Sequence, residues 1–309
     1  MMSKLIAVIW FSGWMVLCSA FPSRAAEPLD LYGYYHAQTI NFGFLMDEVA
    51  DFSNLVLLEI GRFEDTDDIF NEGLGIPRAL DLGYKIILGF ETYSLPNQFN
   101  PEVFEQQVGL TALKLREAGY LNPESIFAVF PLDEPWNHGY SFEDEELALE
   151  IFERYFPGIP KMINYSINQL LSPDRPIPAG LDIVGMDAYF FQQDREDMSR
   201  QAMESFFETG MEKIRVKAPG KPVVFLAQSF AFEPSGHFMP APEQMDWQVE
   251  YSLKTPEIIG HMWFMLGSGP TNSGVEIRGV IDFPEQLQRH RELGLDVLEL
   301  NSPKELKSP

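Results

Sequence analysis

Ile126-Phe127-Ala128-Val129-Phe130-Pro131-Leu132-Asp133-Glu134-Pro135-Trp136 passes abruptly from an unbroken apolar run to two acids, a proline and a tryptophan. The apolar part, Ile126–Leu132, has the length of a strand, and its lack of alternation marks a strand covered on both faces. A segment with helical spacing, Glu143–Phe156, follows it. This strand-then-helix unit recurs on either side. Similar runs occupy Leu29–Ala37, Asn54–Ile60, Tyr84–Glu91, Lys161–Tyr165, Leu181–Tyr189, Pro222–Gln228 and Ile258–Leu266. The clearest other helical segments are Pro101–Ala118, Met198–Val216, Pro242–Leu253 and Pro284–Leu298, whereas Ser166 to Gly180 shows no evident helix. Eight such units predict an α/β fold of one domain, a closed (β/α)8 TIM barrel. An open doubly wound sheet has the same alternation, but no glycine fingerprint of the dinucleotide type follows the first run.

The barrel is expected over residues 27–300, with a polar tail at 301–309. Residues 1–26 have the build of a secretory signal peptide: Lys4, an apolar stretch from Leu5 to Ala20, and small residues at Ala25-Ala26. Export to the periplasm or the medium is therefore expected. The one cysteine, Cys18, lies within that leader, so the remaining chain has no disulfide and no thiolate to act as nucleophile or metal ligand. A net charge of −24 repels phosphate backbones and anionic lipid, which argues against nucleic-acid and membrane-surface partners and for an uncharged or cationic ligand. The same charge also serves solubility alone.

In a barrel of this kind the carboxyl ends of the strands converge on one pocket. Those ends supply His36, Glu91, Asp133, Glu134, Asn164, Asp187, Tyr189, Gln228 and Trp263. Carboxylates, amides and aromatic rings together suit carbohydrate: rings stack on the apolar sugar faces, polar groups bind hydroxyls, and a carboxyl pair moves protons. Asp187 and Tyr189, two apart on a strand, share a face. Trp136 and Trp263 are the preferred stacking platforms. Ser141 with Asp144 fits a helix-capping arrangement. His36 and His261 lack the spacing of a metal pair, and the acidic stretch Glu64–Asp68 lacks the alternation of a calcium loop, so no metal and no organic cofactor is expected.

With its Asp133-Glu134-Pro135 ending, the fourth strand resembles that of the (β/α)8 glycoside hydrolase clan whose motif there is Asn-Glu-Pro. The resemblance implies that Glu134 is the acid/base and that Asp133 stands where the family's Asn binds the sugar beside the broken bond. Leu181–Tyr189 resembles the sixth strand of that clan and His261-Met262-Trp263 the eighth, with its tryptophan. The seventh strand departs from the pattern. In Val223-Val224-Phe225-Leu226-Ala227-Gln228-Ser229-Phe230, an amide stands where the clan has its nucleophilic glutamate, and an amide cannot be that nucleophile. Three arrangements remain open. The nucleophile has moved, with Glu233 the first candidate; or Asp187, Glu91 or Asp133 partners Glu134 in an inverting or substrate-assisted route; or the barrel binds sugar without cleaving it. Schiff-base chemistry is disfavoured, because Lys85 and Lys161 begin their strands at the opposite end of the barrel.

Overall fold

The computed structural model describes residues 29–35, 37–39, 43–60, 68–73, 75–90, 99–270 and 274–301. The leader, the tail beyond Asn301, His36, Glu91 and the acidic residues 64–67 lie outside them. Eight parallel strands close into a barrel: β1 Leu31–Tyr34, β2 Leu55–Glu59, β3 Lys85–Gly89, β4 Ala128–Asp133, β5 Lys161–Ser166, β6 Ile183–Ala188, β7 Val223–Gln228 and β8 Ile258–Phe264. Closure is made by β1, which pairs with β8 at Leu31↔Gly260 and with β2 at Gly33↔Leu55. The predicted barrel and its eight runs are thus the observed architecture, with strand ends trimmed by a few residues.

Both faces of every strand are covered, which is why the runs read as continuously apolar. Leu31, Leu57, Ile87, Phe130, Met162, Ile183, Leu226 and Met262 fill the lumen as one cluster, and a larger cluster packs the outer strand faces against the helices. Two lumen positions lack a side chain because neighbours occupy the space. A Cβ on Gly89 would fall 2.1 Å from Glu59 Oε2, and one on Gly185 would fall 2.8 Å from Met162 Cε and 2.9 Å from Asn164 Oδ1.

The helices are α1 Met46–Val49, α2 Ile76–Asp81, α3 Pro101–Glu117, α4 Phe142–Tyr155, α5 Ile167–Leu171, α6 Arg200–Lys217, α7 Pro242–Lys254 and α8 Pro284–Asn301. Their starts follow local chemistry. Asn100 caps α3 ahead of Pro101, and Ser141 with Asp144 forms the reciprocal capping box of α4, with Asp144 N–H donating to Ser141 Oγ at 3.1 Å. The fifth connection does contain a helix, α5. It is too short to show apolar periodicity, yet Gln169 turns back to accept the Ser166 N–H at 3.2 Å, a start signal legible in Ser166-Ile167-Asn168-Gln169. At the carboxyl rim, Phe230–Ala231 and Gly269–Pro270 flank the antiparallel segment Glu276–Gly279. No described helix is long and apolar enough to cross a membrane.

Candidate active site

β4 ends at Asp133 and turns at Glu134. Asp133 stands opposite Asn164 of β5, and its carboxylate accepts the Asn164 amide N–H at 2.8 Å and the Tyr35 hydroxyl at 3.3 Å. Glu134 has φ 38°, the only positive φ outside glycine among the described residues. A left-handed glutamate costs of order 1–3 kcal/mol, and such strain gathers where a side chain must be aimed. The turn is held by backbone bonds from Glu134 N–H to Asn164 O at 3.0 Å and from Tyr140 N–H to Pro135 O at 2.9 Å. The Glu134 carboxylate is half-buried and accepts the side-chain N–H of Asn137 at 2.8 Å.

Asp187 approaches from β6, paired with Ser166 of β5, so one strand separates it from Asp133 and Glu134. It is buried and accepts the Tyr189 hydroxyl at 3.1 Å. Burial, then the charges of Glu134 and Asp133, push its carboxyl well above the usual carboxylate range, against the opposing hydrogen bonds of Asn164 and Tyr189. Of the three acids, Asp187 is therefore the one whose surroundings favour the protonated form. Tyr189 stays a phenol, because burial and the same three acids raise its pKa.

Glu134 and Asp187 line one cleft of about 180 Å³ together with Asn137, Ser166, Asn168, Tyr189, Gln192, Phe206 and His237. Reasoning from strand ends missed His237 and Gln192, because both lie in long rim connections. They are joined across that rim by a short antiparallel bridge and a side-chain contact of 2.5 Å. Burial lowers the His237 pKa, so the ring is neutral, and its other nitrogen meets Ser235 Oγ at 2.5 Å. The Ser235-Gly236-His237 turn following a strand was the available signal.

Other expected site residues lie elsewhere. Gln228 is fully buried: its Oε1 accepts the Phe191 N–H at 2.8 Å, while its Nε2 donates to Phe191 O at 3.0 Å and Phe238 O at 2.9 Å. That amide joins two rim connections, with both of its N–H donors spent and its oxygen buried away from the cleft. Trp263 is not a platform either. It is buried on the outer face of β8, stacked on His290 of α8 at 4.1 Å with an interplanar angle of 19°. Trp136 turns away from the cleft to donate its indole N–H to Glu145 of α4. Glu233 is exposed beside Pro234, Val275, Glu276 and Arg278 in a separate rim groove. Asn164 sits buried beneath the cleft, and His36 and Glu91 fall outside the described residues. No group of three His, Cys, Asp or Glu among the described residues has the arrangement to hold a metal.

No protein-family model and no curated protein matches this sequence. Solved structures do match by shape. The crystal structure of Ruminococcus gnavus β-glucuronidase superposes with a TM-score of 0.58 at 13% identity, covering 86% of this chain and 50% of that one. Its complex with uronic deoxynojirimycin gives 0.57 at 15%, over 82% and 47%. A Bacteroides fragilis protein provisionally assigned as a β-galactosidase gives 0.56 at 14%, over 81% and 39%. The matched region thus spans half or less of each of these chains. At such identities the likeness is one of fold, and by fold this chain is a (β/α)8 barrel similar to those of glycoside hydrolases.

Proposed function

We propose that the protein is a glycoside hydrolase whose working carboxyl pair is Glu134 and Asp187. The observation that carries this reading is that both acids line a single cleft at the carboxyl rim, Asp187 buried and Glu134 half-buried. The pair shares one proton. On this reading a sugar in the cleft draws that proton from Asp187 to Glu134, the more accessible of the two, which delivers it to the leaving oxygen as general acid and leaves Asp187 as the carboxylate that faces the sugar ring or its attacking water. Asp133, fixed by Tyr35 and Asn164, holds the Glu134 turn and the negative field around Asp187. Tyr189, Asn137, Gln192 and His237 supply the polar wall that binds hydroxyls.

The substrate is a neutral or weakly charged poly- or oligosaccharide. A uronate carboxylate would meet Glu134 and Asp187 without a lysine or arginine among the described lining residues, since Arg195 is held on the rings of Phe190 and Phe206 at 4.5 and 4.4 Å. On this reading the β-glucuronidases share the barrel and not the substrate. The leader expected from the sequence supports an activity outside the cytoplasm.

The test is a panel of neutral, amino and uronic glycans with wild type and Glu134→Gln. Loss of the general acid lowers kcat by about 10²–10⁴-fold. Equal rates in the two proteins would remove Glu134 from the mechanism. The closed seventh strand favours one second reading, a barrel that binds sugar without cleaving it. Binding of a glycan that neither protein cleaves would establish that instead.

A further inference from the structure

Behind the turn that carries Glu134 stands a buried acid with no place in the cleft. Glu145 lies in the first turn of α4, and its two carboxylate oxygens serve two different donors: Oε1 accepts the Trp136 indole N–H, and Oε2 accepts the Tyr165 hydroxyl at 2.6 Å. Trp136 is two residues past Glu134. Tyr165 directly follows Asn164, whose carbonyl receives the Glu134 N–H and whose side chain holds Asp133. One carboxylate therefore ties the outer side of the β4 turn to the outer side of β5, while the inner sides of the same segments present the acids.

A left-handed glutamate persists only where its surroundings over-determine it. Pro135 and the backbone bonds supply part of that restraint. The Trp136 indole, gripped by Glu145 and in tilted contact with the Tyr165 ring at 5.7 Å, supplies the rest from outside the barrel. The charged and titratable groups around this unit are Tyr165 of β5, Asp144 of α4, Arg175 and Lys217. Arg175 lies 4.8 Å and Lys217 5.5 Å from the centre of the Trp136 ring.

We propose that Glu145 is a positioning residue that, through Trp136 and Tyr165, holds the turn in which Glu134 faces the cleft. Its bearing on catalysis rests on the hydrolase reading above; its bearing on the turn does not. Burial, the leading cause, lifts the Glu145 carboxyl to about 7, while the bonds from Tyr165 and Trp136 and the charge of Arg175 pull it down and Asp144 adds to the rise. An ionised Glu145 satisfies both donors. A protonated one keeps the Trp136 N–H on its carbonyl oxygen and reverses the Tyr165 bond, donating its O–H to the phenol oxygen, so the tie to both partners survives in either form.

The experiment compares wild type, Glu145→Gln and Trp136→Phe on a glycan that wild type cleaves. Trp136→Phe should fold and lower kcat at least tenfold with KM within twofold, whereas Glu145→Gln, whose amide can keep both contacts with the Tyr165 bond reversed, should lie between it and wild type. Unchanged kcat in Trp136→Phe would overturn the proposal. Should Glu145→Gln fail to fold, Trp136→Phe, which removes only the indole and its donor, decides alone. If wild type cleaves no glycan, two readouts free of activity decide. Tryptophan emission should titrate near neutrality in wild type and not in Trp136→Phe, and a crystal structure of Trp136→Phe should show residue 134 out of its left-handed conformation. A turn that stays put refutes the positioning role. A turn that moves sustains it and leaves only the hydrolase reading refuted.

Discussion

Replacing Glu134 by Asn should make the protein more stable as it becomes inactive. Residue 134 has φ 38°, where a long side chain costs about 1–2 kcal/mol and Asn, whose short side chain bonds locally, costs much less. The substitution also removes a negative charge whose field on buried Asp187 is the largest electrostatic contribution there. Against these gains stands the hydrogen bond from exposed Asn137, worth about 0.5–1.5 kcal/mol and partly replaced by the new amide. The balance is a gain of about 1 kcal/mol, or about 2–4 °C in Tm for a domain of this size. Glu134→Gln separates the contributions, since it removes the charge and keeps the backbone cost, so it should fall between wild type and the Asn variant. Calorimetry or dye-monitored melting at pH 7 reads all three. An Asn variant that melts below wild type by a similar margin would show that the turn carries no strain at this residue.

Placing a glutamate on β7 should not create a nucleophile: Gln228→Glu loses both bonds donated to Phe191 O and Phe238 O, costing about 2–5 kcal/mol in chemical denaturation without any gain in turnover. A Gln228→Glu protein as stable as wild type, or faster, would contradict this. The buried acids predict stability that declines with rising pH. Glu145 goes from an ordinary 4.5 to about 7 on folding, so its neutral form favours the folded state fully below about pH 4.5, and that contribution is lost as pH rises to about 7. Asp187 acts in the same direction, and a Glu145→Gln protein should show a visibly flatter profile in denaturant midpoints measured from pH 4 to 8; an unchanged slope would exclude Glu145 as its source. Trp263→Phe should lower stability while leaving glycan KM within twofold, whereas a large rise in KM in a stable variant would return Trp263 to the cleft.

The barrel was legible because the physics of a doubly covered strand writes itself locally. Runs such as Ile183–Ala188 and Val223–Gln228 are apolar on both faces and bounded by helical segments, and no long-range information is needed to see this. The acids were legible for a related reason: Asp133, Glu134 and Asp187 interrupt apolar runs where the barrel opens. Side-chain direction was not legible. Trp136 and Trp263 belong to the outer packing because α4 offers a carboxylate to one and α8 an imidazole face to the other, and neither partner lies near in sequence. Gln228 sits at the expected strand end, yet its fate is set by the backbones of Phe191 and Phe238. His237 enters the cleft only because the connection after β7 folds back across the rim, a geometry that periodicity does not encode.

The fully engaged amide of Gln228 bears on the history open to this chain. Glutamine and glutamate codons differ by a single base, so a change to the acid is always one mutation away. Here that mutation would set a carboxylate against two carbonyl oxygens and pry apart the connections they belong to. Any lineage that gained an acid on this strand would first need new rim segments, which turns a trivial genetic step into a remodelling of the mouth of the barrel.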